Sequence, residues 1–93
     1  GGMLNVKGAA DTRYFQEAAM ESRLRIPLLF GLDVIHGMRT VYPIPLAEAA
    51  SFDLELMERT AAAAAKEASS EGIHWTFAPM VDISRDARWG RSR

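Results

Sequence analysis

Two short apolar runs, residues 26–32 and 75–81, restrict the folds open to this chain more than any other feature of its sequence. The first run is too short and too uniformly apolar for an amphipathic helix and is typical of a strand that is buried on both faces. The second run is typical of a buried strand. Pro27 is compatible with the first run because the first residue of a strand can spare its N–H. The two runs therefore predict strands of a parallel sheet.

The segment between these runs supplies the long crossover that parallel strands require. Residues 54–70 contain a row of alanines at 61–65, which favours helix and lets a helix approach a sheet closely. Asp53 is the predicted N-cap of this helix, and Gly72 is predicted to end it. The proline-containing segment 33–46, which follows the first run, is predicted to be a long loop.

The amino-terminal part of the chain adds one more strand and one more helix. Residues 3–6 predict the tail of a strand, and residues 12–24 predict a helix with Asp11 as its N-cap. The resulting order of strand, helix, strand, helix, strand indicates an α/β fold with parallel strands and outer helices. Because a closed barrel needs about 250 residues, we expect this chain to be one piece of a larger α/β domain.

Composition excludes several classes of function. The chain of 93 residues has a net charge of −1, which gives no general attraction to nucleic acid or to an acidic membrane surface. It contains no cysteine, and none of its apolar runs approaches the roughly 20 residues that span a bilayer. His36 and His74 lack metal-ligand spacing, and the chain has no glycine-rich phosphate motif. We therefore expect no metal, cofactor, nucleic acid or membrane partner.

One candidate group of binding residues follows the first predicted strand. Asp33 lies where that strand ends, at the edge where parallel α/β folds carry their ligand groups. Its carboxylate could accept two hydrogen bonds from neighbouring sugar hydroxyls, or it could close an Asx-turn. His36 is better explained by a structural role than as a general base, and Arg39 could bind a polar ligand or remain solvated.

A second candidate group follows the run at 75–81. Arg85, Arg88 and Arg91 outnumber the two acidic residues near them, Asp82 and Asp86. The surplus cation could bind an anion, hold a carboxylate ionised, or donate hydrogen bonds to sugar hydroxyls. The tryptophan of this loop could stack on a pyranose ring or simply pack beneath the loop.

Three stretches of the chain resemble glycoside hydrolase family 3, and most of all its bacterial β-glucosidase branch, which is often periplasmic. They are Gly-Leu-Asp-Val-Ile-His-Gly-Met-Arg-Thr-Val-Tyr-Pro-Ile-Pro-Leu at 31–46, Ala-Ala-Ser-Phe at 49–52, and Ala-Pro-Met-Val-Asp-Ile-Ser-Arg-Asp-Ala-Arg-Trp-Gly-Arg at 78–91. The sequence Val-Ile-His-Gly after Asp33 favours this branch over the β-N-acetylhexosaminidases, which usually show Asp-x-Glu-Gly-Gly. The resemblance covers the chain from about residue 2 to its end.

The resemblance implies a (β/α)₈ TIM-barrel-like domain, of which residues 1–93 would form about the first three βα units. It also implies a retaining exo-β-glucosidase that hydrolyses terminal nonreducing β-D-glucosyl residues, with a β-glucoside or oligosaccharide as substrate. Asp33, Arg91 and, in some members, Arg39 would bind the sugar in subsite −1. The family's nucleophile and acid/base lie downstream, so this chain would hold no catalytic residue. A periplasmic or secreted location is expected from the same resemblance.

Two alternatives belong to other classes of protein. The chain alone could be a non-catalytic structural fragment that associates with itself or with the remainder of the parent barrel, because its sheet edges and apolar faces would be uncovered. It could also be a small anion-binding α/β module that uses Arg88 and Arg91. Measured binding of phosphate, compared with binding of glucose, would distinguish this anion-binding module from a sugar-binding protein.

Overall fold

A computed structural model describes residues 1–90 as a three-stranded parallel sheet with three helices. The strands, in sheet order, are β1 (Gly2–Leu4), β2 (Leu29–Leu32) and β3 (Trp75–Thr76). The helices are α1 (Ala9–Met20), α2 (Pro45–Ser51) and α3 (Leu54–Ser70). β1 and β2 are joined through α1, and β2 and β3 through α2 and α3, which confirms the parallel α/β arrangement.

Helix α3 has the bounds that the sequence predicts. Asp53 is its N-cap, and the Asp53 carboxylate accepts a hydrogen bond of 2.9 Å from the Leu56 N–H. Gly72 follows the helix with a φ of 86°, in the left-handed region that favours glycine. Both predicted ends are therefore confirmed, because the cap and the stop are set by residues at the ends themselves.

Helix α1 is displaced from its predicted position. It begins at Ala9 and ends at Met20, so the predicted range 12–24 is wrong at both ends. Gly8, with a φ of 98°, is the N-cap, and Asp11 lies inside the first turn instead of capping it. The Thr12 N–H and hydroxyl both donate to the Gly8 carbonyl, at 3.0 and 2.9 Å, which starts the helix one turn earlier.

Strands β2 and β3 are shorter than the apolar runs that contain them. At the start of the first run, the Leu28 N–H donates to the Gln16 side chain at 2.6 Å, and the Gln16 amide donates back to the Leu28 carbonyl at 3.2 Å. These bonds take the place of strand pairing before Leu29. Burial on both faces, predicted for the first run, is wrong in this chain, because Ile26 and Leu29 are 54% and 47% exposed. The buried strand predicted at 75–81 is also wrong, because Trp75 and Val81 are 52% and 83% exposed.

Helix α2 was not predicted, and it begins inside the segment assigned as a loop. Pro45 occupies its first turn, where a missing N–H costs no helical hydrogen bond and a fixed φ favours helix. The helix ends at Ser51, and its C-cap Phe52 has a φ of 55°. The two prolines, at 43 and 45, therefore lie just before and at the start of a helix. Helix α2 lies at the end of the loop that follows β2.

The core is small and lies between the sheet and α3. Its buried members come from β2, the residues around it and one face of α3: Phe30, Val34, Ala64, Ala68 and Ile73. Ala64 and Ala68 are the α3 residues that are buried in this cluster. Within residues 1–90, no helix is long and apolar enough to cross a bilayer. This packing fixes α3 against β2 and so sets the position of the residues that follow β2.

Candidate functional site

A pocket of about 330 Å³ lies at the carboxyl end of β2. Asp33, the residue directly after β2, is exposed at its wall. The remaining lining comes from the loop after β2, the start of α2 and the segment after β3: Ile35, His36, Gly37, Ile44, Pro45 and Met80. Because parallel strands end at one edge of the sheet, segments distant in sequence meet here. The pocket combines a carboxylate and an imidazole with an apolar wall.

Residues 36–42 form a short antiparallel turn, named here the 36–42 hairpin, that makes one side of this pocket. The Tyr42 N–H donates to the His36 carbonyl at 2.8 Å, and Gly37 pairs with Val41 as an antiparallel bridge. Gly37 has a φ of 99°, and a Cβ placed on it would lie 1.9 Å from the Thr40 carbonyl oxygen. Only glycine therefore fits this position without moving the backbone.

The tip of the 36–42 hairpin is bound to α3 by two carboxylates. Glu67 accepts hydrogen bonds from the backbone N–H groups of Arg39 and Thr40, and its second oxygen accepts one of 2.8 Å from the Thr40 hydroxyl. The backbone and side-chain hydrogen bonds from Thr40 are the main causes that hold the pKa of Glu67 below its ordinary value. Glu71, which is buried, forms an ion pair with the Arg39 guanidinium.

Sequence reasoning predicted Arg39 as a substrate-binding residue, and the structure shows it in another contact. Its guanidinium pairs with Glu71 at the end of α3, and Arg39 is not among the described residues that line the Asp33 pocket. Its side chain is nevertheless 75% exposed. The assignment of Arg39 to substrate binding stays a prediction.

The second predicted group follows β3 and is described as far as Gly90. Asp86 accepts hydrogen bonds from Arg88 through its backbone N–H at 2.9 Å and through Nη2 of the guanidinium at 2.6 Å. The side-chain bond from Arg88 lowers the pKa of Asp86, and the same bond raises the pKa of Arg88. Trp89 is 41% exposed. Arg91, the arginine predicted to bind sugar, lies outside the described residues.

Sequence reasoning missed Glu67 and Glu71, the two carboxylates that hold the hairpin. A signal for them was present, because their spacing of four residues places both on one face of α3. Their partners could not be read from that spacing, since Arg39 and Thr40 lie 27 or more residues earlier in the chain.

Metal binding was considered through His36, His74 and an aspartate. Nowhere in residues 1–90 do three histidine, aspartate or glutamate side chains come close enough together to hold a metal ion. His74 instead belongs to the sheet, where its Nδ1 accepts a hydrogen bond of 3.2 Å from the Phe30 N–H. In the Asp33 pocket, the Asp33 carboxylate can accept hydrogen bonds from a polar ligand.

Comparison with known proteins gives a consistent set of relatives. Residues 2–93 match the family described as "Glycosyl hydrolase family 3 N terminal domain". A periplasmic beta-glucosidase from Salmonella typhimurium is 47% identical over 93 residues, which cover 99% of this chain and 12% of that protein. A beta-xylosidase from Formosa agariphila is 33% identical over 86 residues, covering 82% of this chain and 12% of that protein.

A further relative is a lysosomal beta glucosidase from Dictyostelium discoideum. It is 33% identical over 72 residues, which cover 72% of this chain and 9% of that protein. The chain thus spans between 9% and 12% of the length of these three relatives.

Proposed function

The chain belongs to glycosyl hydrolase family 3, and from this membership we propose that it is part of the N-terminal (β/α)₈ barrel of an exo-acting β-glucosidase. Residues 1–93 would supply about the first three βα units of that barrel. The parallel order β1-β2-β3 supports the proposal, as does the 47% identity to a periplasmic beta-glucosidase. That relative also supports a periplasmic location for the whole protein.

The observation that carries the proposal is the position of Asp33 in the pocket at the end of β2. A carboxylate at the carboxyl edge of a parallel sheet can accept hydrogen bonds from two neighbouring hydroxyls, while Ile44 and Pro45 offer apolar contact to a sugar ring. In the proposal, Asp33 binds the nonreducing glucosyl residue in subsite −1. Arg91 donates to the same sugar, and Arg39 is assigned to the same subsite.

Binding and bond cleavage are divided between segments in this proposal. A retaining glycosidase needs two carboxyl groups about 5–5.5 Å apart, one as nucleophile and one as acid/base. Asp33 is the one carboxylate among the described residues that line its pocket. We therefore assign the nucleophile and the acid/base to residues of the enzyme outside this chain, and we assign Asp33 to orienting the sugar before them.

The test is a comparison of Asp33→Asn with the wild type in the full-length protein, using an aryl β-glucoside. Loss of the sugar contacts should lower kcat/KM by about 30- to 1,000-fold, equivalent to about 2–4 kcal/mol of transition-state stabilisation. Asp11→Asn, which changes an exposed carboxylate on α1, is the matched control and should leave kcat/KM unchanged. An unchanged kcat/KM in Asp33→Asn would show that the assignment is wrong.

Two further measurements define the activity. An aryl β-xyloside assayed beside the glucoside tests the sugar preference, since one relative is named a beta-xylosidase. Nuclear magnetic resonance of the first-formed sugar tests the mechanism, because retention releases the β anomer. Release of the α anomer would contradict a retaining mechanism.

The exposed apolar residues of this chain favour a second candidate, which concerns the chain alone. Trp75, Val81 and Ile83 are 52%, 83% and 86% exposed, and such surface tends to associate. We propose that the isolated chain of 93 residues is non-catalytic and self-associates. Sedimentation of a monomer at micromolar concentration would contradict this.

The anion-binding alternative has weaker support in the described residues. Asp86 already accepts hydrogen bonds from Nε and Nη2 of Arg88 and so partly neutralises its charge, which weakens the attraction to a phosphate. Calorimetric titration with phosphate and, separately, with glucose distinguishes an anion-binding module from a sugar-binding one. Binding of phosphate without binding of glucose would favour the module.

A further inference from the structure

We propose that Glu67 is a positioning residue for sugar binding, because it holds the 36–42 hairpin at the distance from Asp33 that the pocket requires. This inference rests on the proposed function and deepens it. Glu67 does not line the Asp33 pocket, so its effect on a sugar would pass through the hairpin.

The first step is the strength of the anchor at the hairpin tip. Glu67 accepts three hydrogen bonds from two successive residues, Arg39 and Thr40. Hydrogen bonds to an ionised carboxylate are about twice as strong as those between neutral groups. One turn further on, at the C-cap of α3, Glu71 forms an ion pair with the Arg39 guanidinium. The two carboxylates therefore fix both the backbone and a side chain of the tip.

The second step is the rigidity of the element that carries these carboxylates. Ala64 and Ala68, on α3, are buried against the sheet in the same cluster as Phe30 of β2. Asp33 follows β2 directly, so the helix that holds the hairpin tip is itself packed on the strand that holds Asp33. Glu67 and Asp33 are thus carried by two elements, α3 and β2, that pack against each other in the same core.

The third step is how a movement of the hairpin tip would reach the base of the hairpin. The hairpin is closed at its base by the bond between His36 and Tyr42, and Gly37 leaves no room for even a Cβ beside the Thr40 carbonyl. His36 and Gly37 at the base line the Asp33 pocket. A short turn with such tight packing moves as a unit, so release of its tip would shift the part of the pocket wall that His36 and Gly37 form.

The test uses the full-length protein and compares Glu67→Gln with Glu58→Gln, an exposed carboxylate on the same helix. The amide of Glu67→Gln loses the charge, and its nitrogen can only donate, so the Thr40 hydroxyl would have to accept a hydrogen bond where it now donates one. We expect KM for an aryl β-glucoside and Kd for glucose to rise about tenfold, with kcat changed less than about twofold. Glu58→Gln should leave all three values unchanged.

A pair of substitutions at Thr40 keeps the test independent of the folding of Glu67→Gln. Thr40→Val removes the hydroxyl that donates to Glu67 and should raise KM about threefold, whereas Thr40→Ser keeps the hydroxyl and should restore the wild-type KM. A role in stability alone would lower the folded fraction without changing KM or the Kd for glucose. Circular dichroism at the assay temperature measures that folded fraction.

The outcomes separate this inference from the proposed function. Hydrolysis of the glucoside by the wild type tests the function, while the ratio of variant to wild type tests the role of Glu67. An active wild type with an unchanged KM in Glu67→Gln would overturn the positioning role and leave the function standing. A wild type that neither hydrolyses the glucoside nor binds glucose would overturn both.

Discussion

The 36–42 hairpin and residues 81–90 are both irregular segments that follow a strand, but they are held in different ways. The hairpin tip hydrogen-bonds to a residue 27 or 28 positions away on α3. In the second segment, the bonds of Asp86 with Arg88 and Trp89 join residues two or three positions apart, and every residue is exposed. The hairpin therefore takes its shape from the packed helix, and the second segment takes its turn from its own side chains.

This difference bears on the proposed sugar site. The part of the pocket wall that the 36–42 hairpin forms is held by contacts within the described residues. In the segment that leads toward Arg91, the hydrogen bonds between described residues join near neighbours. In the proposal, its placement depends on the rest of the barrel. The three predictions that follow would break or sharpen this contrast.

The largest expected effect is that of an added methyl group at Gly37 compared with one at Gly90. Gly37→Ala must relieve a contact of 1.9 Å with the Thr40 carbonyl oxygen at a φ of 99°. It should lower the free energy of unfolding by roughly 2–4 kcal/mol. At Gly90 a Cβ would meet no described atom within 4 Å, so Gly90→Ala should change the free energy of unfolding by less than about 0.5 kcal/mol. Equal losses in chemical denaturation would show that the two segments are held alike.

The next effect comes from removing the arginine of each segment. Arg39→Ala leaves the Glu71 carboxylate, with a side chain only 11% exposed, without its cation, which should cost about 2–3 kcal/mol of stability. Arg88→Ala breaks an exposed ion pair and should shift the thermal midpoint much less. Thermal unfolding of both variants measures the contrast. A larger shift in Arg88→Ala would reverse the comparison.

The smallest effect is a dependence on pH. Hydrogen bonds from Thr40 lower the pKa of Glu67 from its ordinary value of 4.5, so its contribution to stability is present above that value. The contribution is lost as the pH falls through the lower pKa of the folded state. The difference in thermal midpoint between wild type and Glu67→Gln should therefore shrink as the pH falls below about 4.5.

Asp86→Asn provides the matched comparison in the second segment. The pKa of Asp86 is lowered from 3.8 by Arg88, so its contribution should have the same sign and should begin to shrink only below about pH 3.8. Thermal unfolding of both variants from pH 7 to pH 3 checks the order. A difference for Glu67→Gln that stays constant over this range would contradict the assigned hydrogen bonds.

Several features could be predicted from the sequence because neighbouring residues decide them. Asp53 and Gly72 fixed both ends of α3, since a cap acts on the first turn and a glycine permits the left-handed turn after the last one. The order of apolar runs and helices fixed the parallel sheet. The position of Asp33 at the end of β2 followed from that order, and two long motifs were enough to indicate the family.

Other features were decided only by residues that meet in the tertiary structure. β2 begins at Leu29 because the side chain of Gln16, on α1, forms hydrogen bonds with the backbone of Leu28. Arg39 forms an ion pair with Glu71 because α3 brings that carboxylate to the hairpin. No local pattern names such partners, since they depend on how helices pack on the sheet. Short-range capping and propensity thus determined the helix and the fold class. Long-range hydrogen bonds and charge pairing determined where the strands begin and what holds the wall of the pocket.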